Sequence, residues 1–222
     1  MLSTMNFLAV LIATVAFTIL APIAGCLLAG IERIISARMQ GRVGPPILQP
    51  YYDIRKLIEK DDVTVSGVDG IYMTCGLVFT MFAGGIFFAG DNLLMSAFVI
   101  TMAALFFIMA AYSSRSPFAE IGAARESIQV MSYEPMVLLM AVCFFMTTGT
   151  FMVRDIFLID APVICHMIPA FIGFLFILTI KLRKSPFDIS TSHHAHQEIV
   201  RGTTTEMSGK TLAKVEVMHW CE

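Results

Sequence analysis

The chain has 222 residues, of which 57% are hydrophobic and 14% are charged, and its formal net charge at pH 7 is −2. A soluble domain is roughly 45–50% apolar and about 25% charged, so this composition excludes a soluble globular domain and indicates a membrane protein. Because there is no basic excess, nucleic acid is not an expected partner. A membrane chain of this length forms one bundle, so residues 1–222 are interpreted as a single membrane domain.

Long apolar segments recur along the chain, and a helix needs about 20 apolar residues to cross the hydrocarbon core of a bilayer. The predicted spans are about 5–31, 71–90, 93–112, 130–153 and 161–182. The second and third spans are separated by little more than Asp91 and Asn92, which predicts a tight helical hairpin. The fold class is therefore all-α, a polytopic membrane helix bundle with five full spans plus the start of a sixth. The final run, Thr211–Glu222, is interpreted either as the start of that sixth span or as a surface helix.

The basic residues indicate the orientation of the bundle. Every lysine and arginine except Arg154 falls in alternate segments on one side of the predicted spans. The positive-inside rule assigns that side to the cytoplasm, so the N-terminus is predicted to lie outside. The predicted cytoplasmic loops are 32–70, 113–129 and 183–210. Within the first loop, the apolar stripe of Pro50–Lys60 predicts a short helix in the plane of the membrane interface.

Cysteine and histidine do not form an evident metal site. No CxxC motif occurs, and four of the five cysteines lie inside apolar runs, which is typical of small packing residues. His193, His194 and His196 are close together, but they lack the i, i+4 spacing with which two histidines on one helix face bind a metal. Because imidazole titrates near neutral pH, a proton-exchanging, hydrogen-bonded loop is the favoured interpretation.

Glu134 is predicted to lie inside the fourth span or at its edge. An ionisable group at such depth is costly unless it is paired or hydrated, and such groups often mark proton or ion paths. A functional role is therefore favoured for Glu134. The alternative is a carboxylate at the level of the lipid headgroups, paired with a nearby arginine.

Three loop motifs resemble one known family. They are Gln40-Gly41-Arg42-Val43-Gly44-Pro45 followed by Leu48-Gln49-Pro50, then Gly122–Arg125 with Met131–Glu134, and finally Pro186–Asp188 with Glu198, Gly202 and Glu206. Their order and their side of the membrane resemble those of the membrane subunit of complex I that is known in bacteria as the H subunit. The resemblance covers residues 32–222. That family continues through further spans, so the chain is expected to be cut short at the sixth.

Two details of the loops are similar to one branch of this family. The first loop lacks the second Arg-x-Gly-Pro repeat of the quinone-reducing members, and the stretch 193–198 is histidine-rich where those members carry closely spaced glutamates. The sequence is thus similar to the corresponding membrane subunit of Ech-type energy-converting nickel–iron hydrogenases and of formate hydrogenlyase.

The resemblance implies two groups of functional residues and no catalytic residue. The junction with the hydrophilic arm would be shaped by Gln40, Gly41, Arg42, Gly44 and Pro45. A charged, hydrated path into the membrane arm would begin with Glu120, Arg125, Glu126, Glu134, Asp188, Glu198 and Glu206. Redox events in partner subunits would shift the proton affinity or the conformation of this path.

The resemblance also implies where the cofactors and partners lie. No cofactor or metal is expected in this chain, whereas a nickel–iron centre and iron–sulfur clusters are expected in partner subunits. The implied partners are a nickel–iron hydrogenase large subunit, a small iron–sulfur subunit, a ferredoxin-like subunit and an antiporter-like membrane subunit. The implied location is the prokaryotic cytoplasmic membrane. Two other functions stay open: a quinone-site subunit of a respiratory NADH dehydrogenase, and a stand-alone secondary transporter, which the absence of internal repeats disfavours.

Overall fold

A computed structural model describes residues 2–63, 66–159, 167–181 and 201–222. Within these ranges the chain forms eight α-helices and one 3-10 turn, at Gly202–Thr204. The helices are α1 (Leu2–Met39), α2 (Gln49–Glu59), α3 (Asp69–Phe88), α4 (Leu93–Ser113), α5 (Pro117–Thr148), α6 (Val153–Phe157), α7 (Ile168–Lys181) and α8 (Gly209–Cys221). The described residues contain no β-sheet, so the all-α class is confirmed.

Four of these helices are long and apolar enough to cross a membrane, namely α1, α3, α4 and α5. Helix α7 is apolar but has 14 residues, which is shorter than a full span. It corresponds to the second part of the predicted fifth span, whose first residues, 161–166, lie outside the described residues. The polytopic helical bundle is confirmed, with four long spans and one short apolar helix among the described residues.

The boundaries of two helices differ from the predicted ones. Helix α1 continues to Met39, beyond the predicted end at residue 31, and α5 begins at Pro117 instead of at residue 130. Proline is favoured in the first turn of a helix because its missing N–H needs no partner there. Ala119 and Ala123 then bury one face of this early part of α5. Most of the predicted loop 113–129 is therefore helix.

The tight hairpin between α3 and α4 is confirmed. Gly90 has a φ of +78°, which permits the chain reversal. The Asn92 side-chain oxygen then accepts hydrogen bonds from the backbone N–H groups of Leu94 and Met95, at 3.0 and 3.3 Å, and so caps α4. The backbone N–H of Leu93 also donates to the carbonyl oxygen of Phe151 at 2.9 Å, which ties this turn to the loop after α5.

Helix α8 lies inside the bundle. It packs against α1, α2 and α3, and Thr211, Ala213, Val215 and Met218 are buried. Of the two interpretations left open by the sequence, the exposed surface helix is therefore wrong. With 13 residues, α8 is about 20 Å long, which is less than the roughly 30 Å of a hydrocarbon core.

The start of α8 is fixed by the segment that follows α2. A carboxylate oxygen of Asp62 accepts a hydrogen bond from the backbone N–H of Lys210 at 2.5 Å. The Ser208 hydroxyl donates to the carbonyl oxygen of Val63 at 3.0 Å and accepts from its N–H at 2.9 Å. Asp62 therefore acts as an N-cap supplied from a distant part of the chain, with its negative charge at the positive end of the helix dipole.

The main hydrophobic core lies where α3, α4, α5 and α8 meet. Met73, Phe107, Ala123, Val215 and Met218 are all buried in this cluster. These residues lie in the half of the bundle next to the predicted cytoplasmic loops. Two of them, Phe107 and Met218, also line a small polar cavity.

Candidate functional site

Two of the predicted motifs meet at Gly122. A Cβ atom at this position would stand 2.6 Å from the carbonyl carbon of Gly202 and 2.7 Å from the backbone nitrogen of Thr203. These neighbours are backbone atoms, so only glycine allows the turn 202–204 to lie on α5. Thr203 is 1% exposed, and its hydroxyl has no hydrogen-bond partner among the described residues. The end of the last loop is therefore packed directly on the central motif.

Glu126 lies one helical turn beyond Gly122 and is 5% exposed. Its side chain lines a narrow cavity of about 20 Å³ between four helices. The lining residues are Ala104 and Phe107 of α4, Glu126, Gln129 and Tyr133 of α5, Ile180 and Lys181 of α7, and Met218 and Glu222 at the end of α8. A polar cavity of this size holds about one water molecule.

Charged side chains of both signs line this cavity. They are the carboxylates of the buried Glu126 and the exposed Glu222 and the ammonium group of the half-buried Lys181. Charges inside a membrane protein are costly unless they face one another or water, and they often mark proton and ion paths. The arrangement can therefore hold a water molecule between groups that accept and donate protons.

The other predicted path residues have different surroundings. Glu120 and Arg125 are exposed on α5, whereas Glu134 is half-buried immediately before Pro135. Glu206 is half-buried shortly before the start of α8. None of these four lines the small cavity, although Tyr133, the neighbour of Glu134, does. The predicted path residues Asp188 and Glu198 lie outside the described residues.

The described residues contain no group of three or more His, Cys, Asp or Glu side chains that could hold a metal ion. The predicted proton-exchanging histidines, His193, His194 and His196, lie outside the described residues. Cys26, Cys75, Cys143 and Cys221 form no disulfide in the part of the chain that the structure describes.

The predicted junction residues surround the end of α1. Gly41 has a φ of +69°, and the guanidinium of Arg42 donates a hydrogen bond to the side-chain oxygen of Gln40. Gln40, Gly41 and Arg42 are exposed, whereas Gly44 and Pro45 are half-buried. An open cavity of about 400 Å³ lies here, between the last turns of α1 and this loop. Its walls include Glu32 and Arg33 as well as Gln40, Arg42 and Pro45.

An ion pair connects α1 to α2 next to this junction. The Arg33 guanidinium donates to a carboxylate oxygen of Asp53 at 2.6 Å, and the Gln49 amide donates to the other oxygen at 3.0 Å. Partial burial alone would raise the pKa of Asp53, but the hydrogen bonds from Arg33 and Gln49 and the positive charges of Arg33 and Lys56 outweigh it. The pKa of Asp53 is therefore held below its ordinary value.

Sequence reasoning missed three residues with unusual surroundings. Lys181 and Glu222 line the polar cavity, and Asp69, at the start of α3, is 4% exposed with one carboxylate oxygen that has no hydrogen-bond partner among the described residues. Lys181 was identifiable as the basic end of an apolar helix. No sequence pattern showed that it would line a cavity together with Glu126, because the two residues lie on different helices that are distant along the chain.

The long apolar helices define a polytopic membrane protein, and a polar cavity lined by the buried Glu126 lies between four of its helices. The chain belongs to the NADH dehydrogenase family, which it matches over residues 10–222. This confirms the resemblance to the H-subunit family of complex I that the loop motifs indicated.

Several relatives share a substantial part of the sequence. The chain is 30% identical to hydrogenase-4 component C of Escherichia coli over 202 residues, which is 84% of this chain and 63% of that protein. It is 32% identical to the H subunit of NADH-quinone oxidoreductase of Rubrobacter xylanophilus over 232 residues, which is 94% of this chain and 69% of that protein. Formate hydrogenlyase subunit 4 of Escherichia coli is 28% identical over 214 residues, or 87% of this chain and 66% of that subunit.

A solved structure has the same fold. A chain of the membrane-bound sulfane sulfur reductase, an archaeal respiratory membrane complex, superposes with a TM-score of 0.83 and 25% sequence identity. The match covers 96% of this chain and 74% of that chain. The chain is thus related to membrane subunits of oxidoreductase complexes of both the complex I and the hydrogenase type. It spans less than two thirds of the length of some of these relatives, such as hydrogenase-4 component C.

Proposed function

We propose that this chain is a membrane-anchoring and ion-coupling subunit of a membrane-bound, energy-converting hydrogenase. It links electron transfer in a hydrophilic nickel–iron and iron–sulfur arm to the movement of protons or sodium ions across the membrane. The observation that carries this proposal is the cavity between four helices that Glu126, Lys181 and Glu222 line together, with Glu126 itself buried. A chain that served only as an anchor would need no such carboxylate inside the bundle.

The packing of the turn 202–204 on Gly122 supports a route for coupling. The turn follows the last loop and lies on α5 one helical turn from Glu126. A displacement of this loop by a partner subunit would be transmitted through a contact between two backbones, which cannot be compressed. The proposed ion path comprises Glu120, Arg125, Glu126, Glu134, Asp188, Glu198 and Glu206.

The junction with the hydrophilic arm is proposed at Gln40, Gly41, Arg42, Gly44 and Pro45. Their support is the open cavity at the end of α1 and the exposure of Arg42, whose guanidinium is available to acidic groups of a partner. In this proposal the chain is a non-catalytic subunit, and the nickel–iron centre and the iron–sulfur clusters reside in the hydrogenase large subunit, the small iron–sulfur subunit and the ferredoxin-like subunit. An antiporter-like membrane subunit would continue the ion path, and the membrane would be the prokaryotic cytoplasmic membrane.

The alternative function is a quinone-site subunit of a respiratory NADH dehydrogenase. The observation that favours it is the 32% identity to the H subunit of an NADH-quinone oxidoreductase, which is no lower than the identity to the hydrogenase component. Purifying the tagged complex in mild detergent and identifying its subunits by mass spectrometry separates the two. A nickel–iron large subunit supports the hydrogenase, whereas flavin-linked or quinone-linked subunits without a nickel site would replace it with the alternative.

The coupling role is tested by removing single charges. Glu126→Gln and Glu134→Gln keep the size of each side chain but prevent it from carrying a proton. We expect each variant to assemble and to lower ion movement per electron transferred by about a hundredfold, the range seen when a proton-transferring group is lost. The matched control is Glu59→Gln, an exposed residue whose pair with Arg55 contributes little. Unchanged coupling in both test variants would contradict the proposed path.

A further inference from the structure

The surface around the short helix α6 lies at the end of the bundle that is predicted to be outside, and the proposed function makes no use of it. We infer that this surface binds the headgroup phosphate of a membrane phospholipid. Arg154 holds the phosphate, and the apolar side chains at the end of α6 contact the acyl chains of the same lipid. The inference is independent of the coupling function and concerns how the chain is fixed in the bilayer.

The depth of α6 in the bilayer follows from the two helices beside it. Helices α3 and α4 contain 20 and 21 residues, so each is about 30 Å long. The hydrocarbon core has about the same thickness, which places the turn at residues 89–92 at the boundary between hydrocarbon and headgroups. The backbone N–H of Val153 donates to the carbonyl oxygen of Asp91 at 3.0 Å, and that of Arg154 donates to Gly90 at 3.1 Å. Helix α6 therefore begins at the level of the headgroups.

The end of α6 exposes two large apolar side chains at this depth. Phe157 is 80% exposed and Leu158 is 73% exposed, whereas Val153 is buried and holds the helix against the bundle. Aromatic residues are favoured at the membrane–water interface, and an interfacial helix places its apolar side chains among the acyl chains. The exposed end of α6 is therefore a surface for lipid and not for water.

Arg154 supplies a positive charge beside this apolar surface. It is the one lysine or arginine that falls outside the predicted cytoplasmic segments. Its side chain is exposed and forms no ion pair with any residue that the structure describes. Arg154 lies three residues before Phe157, and residues with this spacing are neighbours on a helix surface. The long side chain of an arginine can keep its stem on apolar surface while its guanidinium reaches the headgroups.

A phosphate group matches this guanidinium better than the nearby carboxylates do. The planar guanidinium can donate two parallel hydrogen bonds to phosphate oxygens. The Asp91 carboxylate instead accepts a hydrogen bond from the backbone N–H of Asn92 at 2.9 Å. Asp155 is the next residue after Arg154, and adjacent residues on a helix do not face each other. Free phosphate would pair with the guanidinium alone, whereas a phospholipid also covers Phe157, so a phospholipid is the occupant that fits both features.

The experiment places a photoreactive group at the site in the intact complex. Phe157 is replaced by p-benzoylphenylalanine, and the complex is purified through a tag on this chain. It is reconstituted in vesicles of phosphatidylethanolamine and phosphate-free diglucosyl diacylglycerol, in equal amounts and with the same acyl chains. After illumination, mass spectrometry compares the two lipid adducts at position 157. We expect phospholipid adducts to exceed glycolipid adducts about tenfold, a preference typical of a hydrogen bond to a charged group.

Three controls separate recognition of the phosphate from general contact with lipid. The same photoreactive amino acid in place of Phe176, which is exposed on the apolar helix α7, should give the two adducts in equal amounts. Arg154→Gln, combined with the group at position 157, should reduce the preference there to equal amounts as well. Arg154→Lys keeps the charge but loses the two parallel hydrogen bonds, so we expect it to keep part of the preference.

Several outcomes would overturn the inference. These are equal adducts at position 157 with Arg154 present, or a preference that persists in Arg154→Gln. Loss of the preference in excess inorganic phosphate would show that the site takes the free ion and not the lipid. An adduct with a protein segment would show that a partner covers α6. Should Arg154→Gln fail to assemble, Arg154→Lys and the comparison of positions 157 and 176 still decide the question. None of these measurements depends on ion coupling, so the proposed function is tested separately.

Discussion

The two ends of the bundle, called outer and inner after the orientation predicted from the basic residues, are held together in different ways. At the outer end, the α3–α4 turn is built from neighbours in sequence, with Gly90 reversing the chain and Asn92 capping the next helix. At the inner end, Gly122 contacts Gly202, and Asp62 caps a helix at Lys210, 148 residues further along the chain. The charged cavity lies with the inner contacts. The part of the molecule with the proposed ion path thus depends on long-range packing, whereas the outer turn forms from local preferences.

The largest expected effect comes from disturbing the contact at the inner end between the backbone of α5 at Gly122 and the turn 202–204. In Gly122→Ala the new methyl group would meet Gly202 and Thr203 at 2.6–2.7 Å, and neither backbone can yield without moving the whole turn. We expect the free energy of unfolding to fall by more than about 3 kcal/mol, beyond the usual range for an overpacked side chain. The measurement is the thermal unfolding of the complex in mild detergent.

The matched control for this substitution is Gly76→Ala. Gly76 is also buried in a helix, but its new methyl group would meet neighbours at 3.4–3.5 Å, which is ordinary contact. We expect a change of less than about 1 kcal/mol, since alanine is also the better helix former. Equal losses in the two variants would show that the inner contact has no special importance.

An intermediate effect is expected from removing either of two helix caps, one at each end of the bundle. Asp62→Ala removes the long-range cap of α8, and Asn92→Ala removes the local cap of α4. Each should cost about 1 kcal/mol of stability. Only Asp62→Ala should also lower ion coupling, because α8 carries Glu222 to the cavity. The control is Asp61→Ala, an exposed neighbour, and an equal effect of Asp61→Ala on coupling would contradict this interpretation.

The smallest expected effect concerns the ion pair of Arg33 and Asp53 at the junction. Because the pKa of Asp53 is lowered in the folded chain, its contribution is fully present above the unfolded value of about 3.9 and is lost as the pH falls through the lower, folded value. Both side chains are partly exposed, so the contribution stays below about 1 kcal/mol. Melting temperatures measured from neutral pH down to about pH 3 should show this loss, and Asp53→Asn should abolish it.

Much of the helical architecture could be read from local sequence signals. The apolar runs predicted α3 and α4 to within a few residues, Asp91 and Asn92 marked the turn between them, and the stripe in Pro50–Lys60 predicted α2. The sequence predicted helix from about Gly122 onward, merging into the fourth span, and the structure begins α5 five residues earlier, at Pro117. Glu126 was recognised as a path residue, but its small cavity was not.

By itself, the sequence determined that this is an all-helical membrane bundle of the H-subunit family of complex I. Hydrophobic length and loop motifs are properties of neighbouring residues, which is why they can be read along the chain. Only the tertiary structure decided that Lys181 and Glu126 line the same cavity, that Gly122 supports the turn 202–204, and that α8 lies inside the bundle. Each of these arrangements joins residues far apart in sequence. The free energy that stabilises them comes from packing and from the local exclusion of water. Both depend on several segments at once, so no single segment specifies them.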